Sequence, residues 1–213
     1  MNPYQQFLRL IRNLNLEAQR DTDFLFRTLR GSELADALAD LVQTYGSAAA
    51  AVSADWYDEL RADTGVRPGF SAVIPEPKEP GTGILVDWAL NAANTDESFH
   101  SLVKGGIERR ITNYSRNTVT TSAVRDPRSR GWMRVGNPEC GFCAMLISRG
   151  AVYTKESIQF RTHDWCNCGA APAWSPDQVN EIRREFVPSA RRRSEETKAE
   201  DVARAKEWIA ENL

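Results

Sequence analysis

The chain has 213 residues, enough for one or two domains with a core of ordinary size. Charged residues form 26% and the hydrophobic set 41%, a balance that excludes intrinsic disorder. A formal net charge of -2 excludes a global field that would draw the whole molecule to nucleic acid or a membrane.

The N-terminus, Met1-Asn-Pro-Tyr-Gln-Gln-Phe-Leu, has neither the basic start nor the apolar run of a signal peptide. No apolar stretch approaches the ~18 residues that span a bilayer. The expectation is a chain made and kept in a reducing cytoplasm, with no membrane partner. Region 1–65 reads as helix. Phe7, Leu10, Ile11 and Leu14 recur at helical spacing, and Leu34, Leu38, Leu41, Tyr45, Ala48, Val52, Trp56 and Leu60 form a second, longer stripe. Gly31-Ser32 supplies a stop and an N-cap before that stripe, and Gly65 follows it. Pro68, Pro75, Pro77 and Pro80 forbid helix across 66–81, so this segment reads as an extended linker and a hinge between helical pairs.

Region 82–124 returns to helix. Thr82 opens a short one to Ala93, and Asn94-Thr95-Asp96 caps another from Glu97 to Thr121, amphipathic and basic, with a β-branched end at Thr118-Val119-Thr120-Thr121 that is expected to fray. From 125 to 175 the character changes. Gly131-Trp132-Met133-Arg134-Val135 alternates like a strand, Cys143 to Arg149 looks like a short helix closed by Gly150, and further strands are expected at Ala151–Tyr153 and near Cys166–Ala173. Trp132, Trp165 and Trp174 are the expected core of this small module. Region 176–213 carries charged helices, opened by Ser175-Pro176-Asp177-Gln178. The fold class is therefore α+β, with an N-terminal helical region, a small α+β module and a C-terminal helix.

Basic residues crowd one stretch: Lys104, Arg109, Arg110, Arg116, Arg125, Arg128, Arg130 and Arg134, against Glu108 and Asp126. The plainer reading is a solvated helix face and loop. The sharper one is a patch whose arginines meet DNA phosphates.

All four cysteines and one of the two histidines lie in the small module, as Cys140-Gly-Phe-Cys143 and His163-Asp-Trp-Cys166-Asn-Cys168. Cys-x-x-Cys is the knuckle spacing at which two sulfurs reach one tetrahedral ion, and Cys166 and Cys168 face the same way on an extended segment. Structural zinc takes four ligands, and Cys140, Cys143, His163, Cys166 and Cys168 offer five. A pair of disulfides would staple the same halves. A third possibility is a thiol active site, with Cys143 near a helix start, His163 as base, and Asp164 or Asn167 orienting it. Extra cysteines beside a nucleophile invite oxidation or metal capture, which weighs against catalysis. No phosphate-binding loop, dinucleotide fingerprint or paired-carboxylate motif is present.

The run Asp126-Pro127, Gly131-Trp132-Met133-Arg134-Val135, Cys140-x-x-Cys143, Ser148-Arg149-Gly150-x-Val152-Tyr153, His163-x-x-Cys166-x-Cys168 and Pro172 resembles the MuF-like minor head proteins of tailed phages, in the form common in phages of actinobacteria. Tyr57-Asp-Glu-Leu-Arg61 with Gly65-Val66 resembles their helical half. The resemblance implies a minor capsid protein of the virion, inside the capsid near the portal, with the portal protein, the major capsid protein and packaged double-stranded DNA as partners. It implies a part in head morphogenesis, DNA packaging or ejection, and carries over no catalytic residue, so the expectation is a protein that is not an enzyme. Some relatives carry the label of capsid maturation protease, so a protease using Cys143 and His163 is one alternative. A zinc-module DNA-binding protein is the other.

Overall fold

In the computed structural model, residues 3–136, 141–154, 160 and 162–175 are described. They form an α+β fold: five helices, of which four build a body, and a two-stranded sheet with a cysteine cluster at its side. Helix α1 spans Pro3–Thr28 and buries Phe7, Ile11, Asn15, Ala18, Thr22 and Phe26, one face at intervals of three and four. Leu10, half of the expected apolar pair with Ile11, is exposed, because it lies to one side of the face that Phe7, Ile11 and Ala18 bury. Helix α2 spans Gly31–Asp63. Its stripe is broader than the sequence suggests and runs through Val42, Gly46, Ala49, Ser53 and Tyr57, while Tyr45, Ala48 and Val52 are only partly buried. Its N-cap is Arg30, not Ser32. Phe7 stacks on Trp56 with ring centroids 4.0 Å apart, fixing α1 against α2.

Segment 66–81 is extended, as the prolines require, but it is strapped down. The Ala72 amide donates to Asp58 Oδ1 (2.8 Å) and the Val73 amide to Ser122 Oγ (2.9 Å). Arg110 donates to the carbonyls of Pro80 (2.6 Å) and Gly81 (3.0 Å). The expected hinge is thus a tether between α2 and the later helices. Helix α3, Thr82–Ala92, follows it.

Helix α4, Asp96–Arg125, starts in a capping box in which Thr95 and Ser98 exchange side-chain-to-backbone hydrogen bonds. It is the axle of the fold, with α1, α2, α3 and the sheet all packed against it. It is accordingly not amphipathic, and its β-branched end does not fray. Thr118, Val119 and Thr120 are buried, and the two threonine hydroxyls donate to the Tyr114 and Arg116 carbonyls one turn back.

Strand β1, Gly131–Val135, pairs antiparallel with β2, Gly169–Ala173, from Gly131 opposite Ala173 to Val135 opposite Gly169. The expected strand at Ala151–Tyr153 is reduced to a bridge between Trp132 and Tyr153. Between them lies α5, Gly141–Ser148, and Gly150 takes the left-handed conformation just past its end (φ 67°). Trp132 is buried against Tyr153 and Phe160, at centroid distances of 4.2 and 5.3 Å. Trp165 departs from the expected core role and is 45% exposed. No described helix is long and apolar enough to cross a membrane. The C-terminal helices expected over 176–213 lie outside the described residues.

Candidate metal centre

The chain folds back on α4 so that the two halves of the cysteine pattern meet. Helix α5 delivers Cys143, and the turn before β2 delivers His163 and Cys166. Cys143 Sγ lies 3.3 Å from His163 Nε2 and 3.6 Å from Cys166 Sγ, and the three ligand atoms sit within 4.8 Å of one another. Cys168 Sγ is 3.0 Å from Cys166 Sγ. Cys140, the other half of the knuckle, lies outside the described residues.

The protonation geometry of His163 suits a ligand. Its Nδ1 is 2.6 Å from the Asp164 carbonyl oxygen, which only accepts, so Nδ1 donates there and Nε2 is the nitrogen that faces the Cys143 sulfur. The three cysteines are buried, with Cys143 only 2% exposed. A tetrahedral zinc site with Zn–S of about 2.3 Å separates its ligand atoms by roughly 3.5–3.8 Å. The Cys143–His163 and Cys143–Cys166 distances are close to that spacing, so the donor set fits a thiolate-rich ion. Disulfides, the alternative expected from sequence, are not formed among the described cysteines: Cys143, Cys166 and Cys168 are free. Even the closest pair, at 3.0 Å, is far beyond the ~2.05 Å of a bond.

Two buried arginines back the cluster. Arg116 is 0% exposed, and its guanidinium donates to the carbonyls of Cys166 (2.6 Å) and Cys168 (2.8 and 2.9 Å). Arg134 Nη1 lies 3.8 Å from Cys168 Sγ and its guanidinium covers the Phe160 ring at 3.9 Å. Hydrogen bonds from Cys143 and Cys166 pull the Cys168 thiol well down, and Arg116 and Arg134 add to this against the opposing effect of burial. Cys143 moves the other way. Its hydrogen bonds to Cys166 and Cys168, and then its burial, push its thiol up.

The expectation of a DNA-facing arginine row is corrected at Arg116 and Arg134, which are interior and serve the cysteine loop. Arg109 pairs with Asp164, Nε to Oδ1 3.0 Å, and Arg110 is spent on the strap carbonyls. Arg125, Arg128 and Arg130 are the exposed ones of the set. The spacing of basic residues along α4 looked like a charged face because sequence does not show that another segment covers it.

A second polar knot ties the module to the helical body. Asp126, 0% exposed, accepts from Arg61 Nε (2.9 Å), Trp174 Nε1 (3.0 Å), the Arg128 amide (2.9 Å) and the Tyr57 hydroxyl (3.2 Å). Sequence reasoning gave Asp126 no role. Its signals were the Asp-Pro pair after a long helix, where the character of the chain changes, and its place in the resembling run, and neither shows a buried anchor.

A family model described as VG15 protein matches residues 3–189. No curated protein and no solved structure matches the chain.

Proposed function

We propose, from the premise that the chain belongs to the VG15 protein family, a phage-derived family of viral proteins, that it is a minor structural protein of a phage head, of the MuF-like kind. The observation that carries this reading is the Asp126 knot. Tyr57 and Arg61 on one side, and Asp126 with Trp174 on the other, join the two separate stretches that resemble MuF-like proteins. In this reading the helices dock on the portal protein or inner shell. Exposed Ile84 and Trp88, one turn apart on α3, offer an apolar face suited to such packing. Co-purification of the chain with its cognate portal protein tests the role. Binding that Ile84→Asp with Trp88→Asp abolishes supports it, and failure of the unaltered chain to join portal or procapsid sinks it.

The cysteine cluster then serves as a structural zinc site that staples a module too small for a generous core of its own. Cys143, His163 and Cys166 would hold the ion, with Cys168 or Cys140 in the fourth position. The ion would supply four fixed bonds that close the loop between α5 and β2. Elemental analysis with a free-thiol count decides this. One zinc per chain with thiols unreactive until a chelator is added supports it. Four freely reactive thiols and no metal overturn it.

The 3.3 Å contact between Cys143 and His163 also favours a second reading, a cysteine protease of head maturation. Against it, Cys143 is buried and its thiol is pushed up rather than down. Particles assembled with Cys143→Ala separate the two. Unprocessed head proteins would favour the protease, and normal processing in less stable particles would favour the staple.

A further inference from the structure

We propose that Trp165 is a positioning residue for the metal ligands, and that it works by docking on Gly105 of α4. The inference rests on the metal-site reading above. Trp165 stands between His163 and Cys166 and is the only non-glycine residue with positive φ among the described residues, at 59°. A side-chain-bearing residue in that left-handed region is disfavoured, so a compensating contact must hold it there.

That contact is Gly105. A β-carbon at 105 would come within 2.5 Å of the indole Nε1 and 2.8 Å of Cε2, so only glycine lets the ring lie this close to the helix. The neighbouring contacts repeat the pattern. One turn further along α4, Arg109 meets Asp164 at 3.0 Å, and two turns beyond that, Arg116 holds the Cys166 and Cys168 carbonyls. Positions 105, 109 and 116 fall on one side of a helix. They form a rail against which residues 164 to 168 are laid. The turn at 164–165 is what brings His163 and Cys166 to the same sulfur of Cys143.

Ordinary core packing explains this poorly. An indole that is 45% exposed forgoes much of the gain from burial, while occupying a backbone conformation that most residues avoid. Holding two ligands at the right angle accounts for both features. Partners that orient metal ligands typically cost 10–100-fold in metal affinity when removed.

Cobalt(II) titration of the reduced full-length chain tests the proposal, read by the thiolate charge-transfer and d–d bands, with far-UV circular dichroism to verify the helices. Trp165→Ala and Gly105→Ala should each weaken cobalt binding roughly tenfold to 100-fold and alter the d–d bands. Trp165→Phe should recover much of the loss, because a flat ring returns to Gly105. Gly83→Ala, on an exposed turn of α3 with nothing within 4 Å, should change nothing. If the unaltered chain binds cobalt and helical Trp165→Ala binds it as tightly with the same bands, the positioning role is wrong although the metal site stands. If the unaltered chain binds no cobalt, both fall. Should Trp165→Ala lose its helix signal, Arg109→Gln on the same rail decides: altered bands support the proposal, and unaltered affinity and bands overturn it.

Discussion

Arg61 and Asp126 form a buried ion pair across 65 positions of sequence, with Nε to Oδ2 at 2.9 Å and side chains 6% and 0% exposed. It joins the last turn of α2 to the residue just past α4, where the small module begins. Removing one partner of such a pair leaves an uncompensated charge in the interior, which costs about 3–5 kcal/mol. Asp126→Asn should lose that much in urea denaturation, a large share of the ~5–15 kcal/mol typical of whole domains. Exposed Asp87→Asn serves as the comparison. A loss under about 0.5 kcal/mol at Asp126 would contradict this account of the knot.

The same carboxylate predicts a pH dependence. Burial pushes the Asp126 carboxyl up, but hydrogen bonds from Arg61, Trp174 and the Arg128 amide outweigh it, so its pKa falls below the usual value near 4. A group whose folded pKa is depressed contributes stability above its unfolded pKa and loses it as pH falls through the folded one. Stability should therefore be flat above about pH 5 on this account and decline progressively below pH 4. Urea midpoints from pH 6 to pH 3 read the decline, and Asp126→Asn should show a shallower one.

Gly46 on α2 faces the Tyr114 ring so closely that a β-carbon would come within 2.7 Å of it. The ring is anchored because the Tyr114 hydroxyl donates to Gln43 Oε1 at 3.0 Å. Alanine at a helical glycine gains about 1 kcal/mol of propensity, whereas overpacking costs about 1–3 kcal/mol. Gly46→Ala should thus destabilise the protein in thermal melts. Combining it with Tyr114→Ala, which opens the space, should turn the Gly46→Ala step favourable. A Gly46→Ala chain more stable than the parent would show that α2 and α4 are not locked at this crossing.

On the head-interior reading, the arginines divide by position. Changing Arg125, Arg128 and Arg130 to Gln should reduce the salt dependence of DNA retention by about one unit of slope per lost phosphate contact. Arg116→Gln should leave that slope alone and instead lower stability and metal retention, since its guanidinium holds the cysteine loop. Filter binding across a salt series, with melting curves, separates the two behaviours. An unchanged slope in the triple variant would remove DNA from the partners of this surface.

Much of the helical body was legible in the residues themselves. Prolines forbid helix over 66–81, the Thr95 cap starts α4, and the run around Trp132 forms a strand, although all five of its residues are buried instead of alternating; the signals that held are local. The register of burial was less legible. The α2 stripe widened onto Val42, Gly46 and Ala49 because α1 and α4 approach it from two sides, and no single-face periodicity describes that. The soft ligands were legible as a set, since so many in so short a stretch have few physical uses.

What the sequence determined by itself is chemistry of type: a thiol-rich cluster with one histidine, an α+β division, and the resemblance that anticipated a phage protein. Tertiary structure alone decided chemistry of place. It set Cys143, His163 and Cys166 within reach of one ion, turned Arg116 and Arg134 inward, and made Asp126 a buried anchor. The physical reason is that burial and partnership belong to pairs of residues far apart in the chain. An arginine on a helix looks the same in sequence whether water or a cysteine loop will cover it.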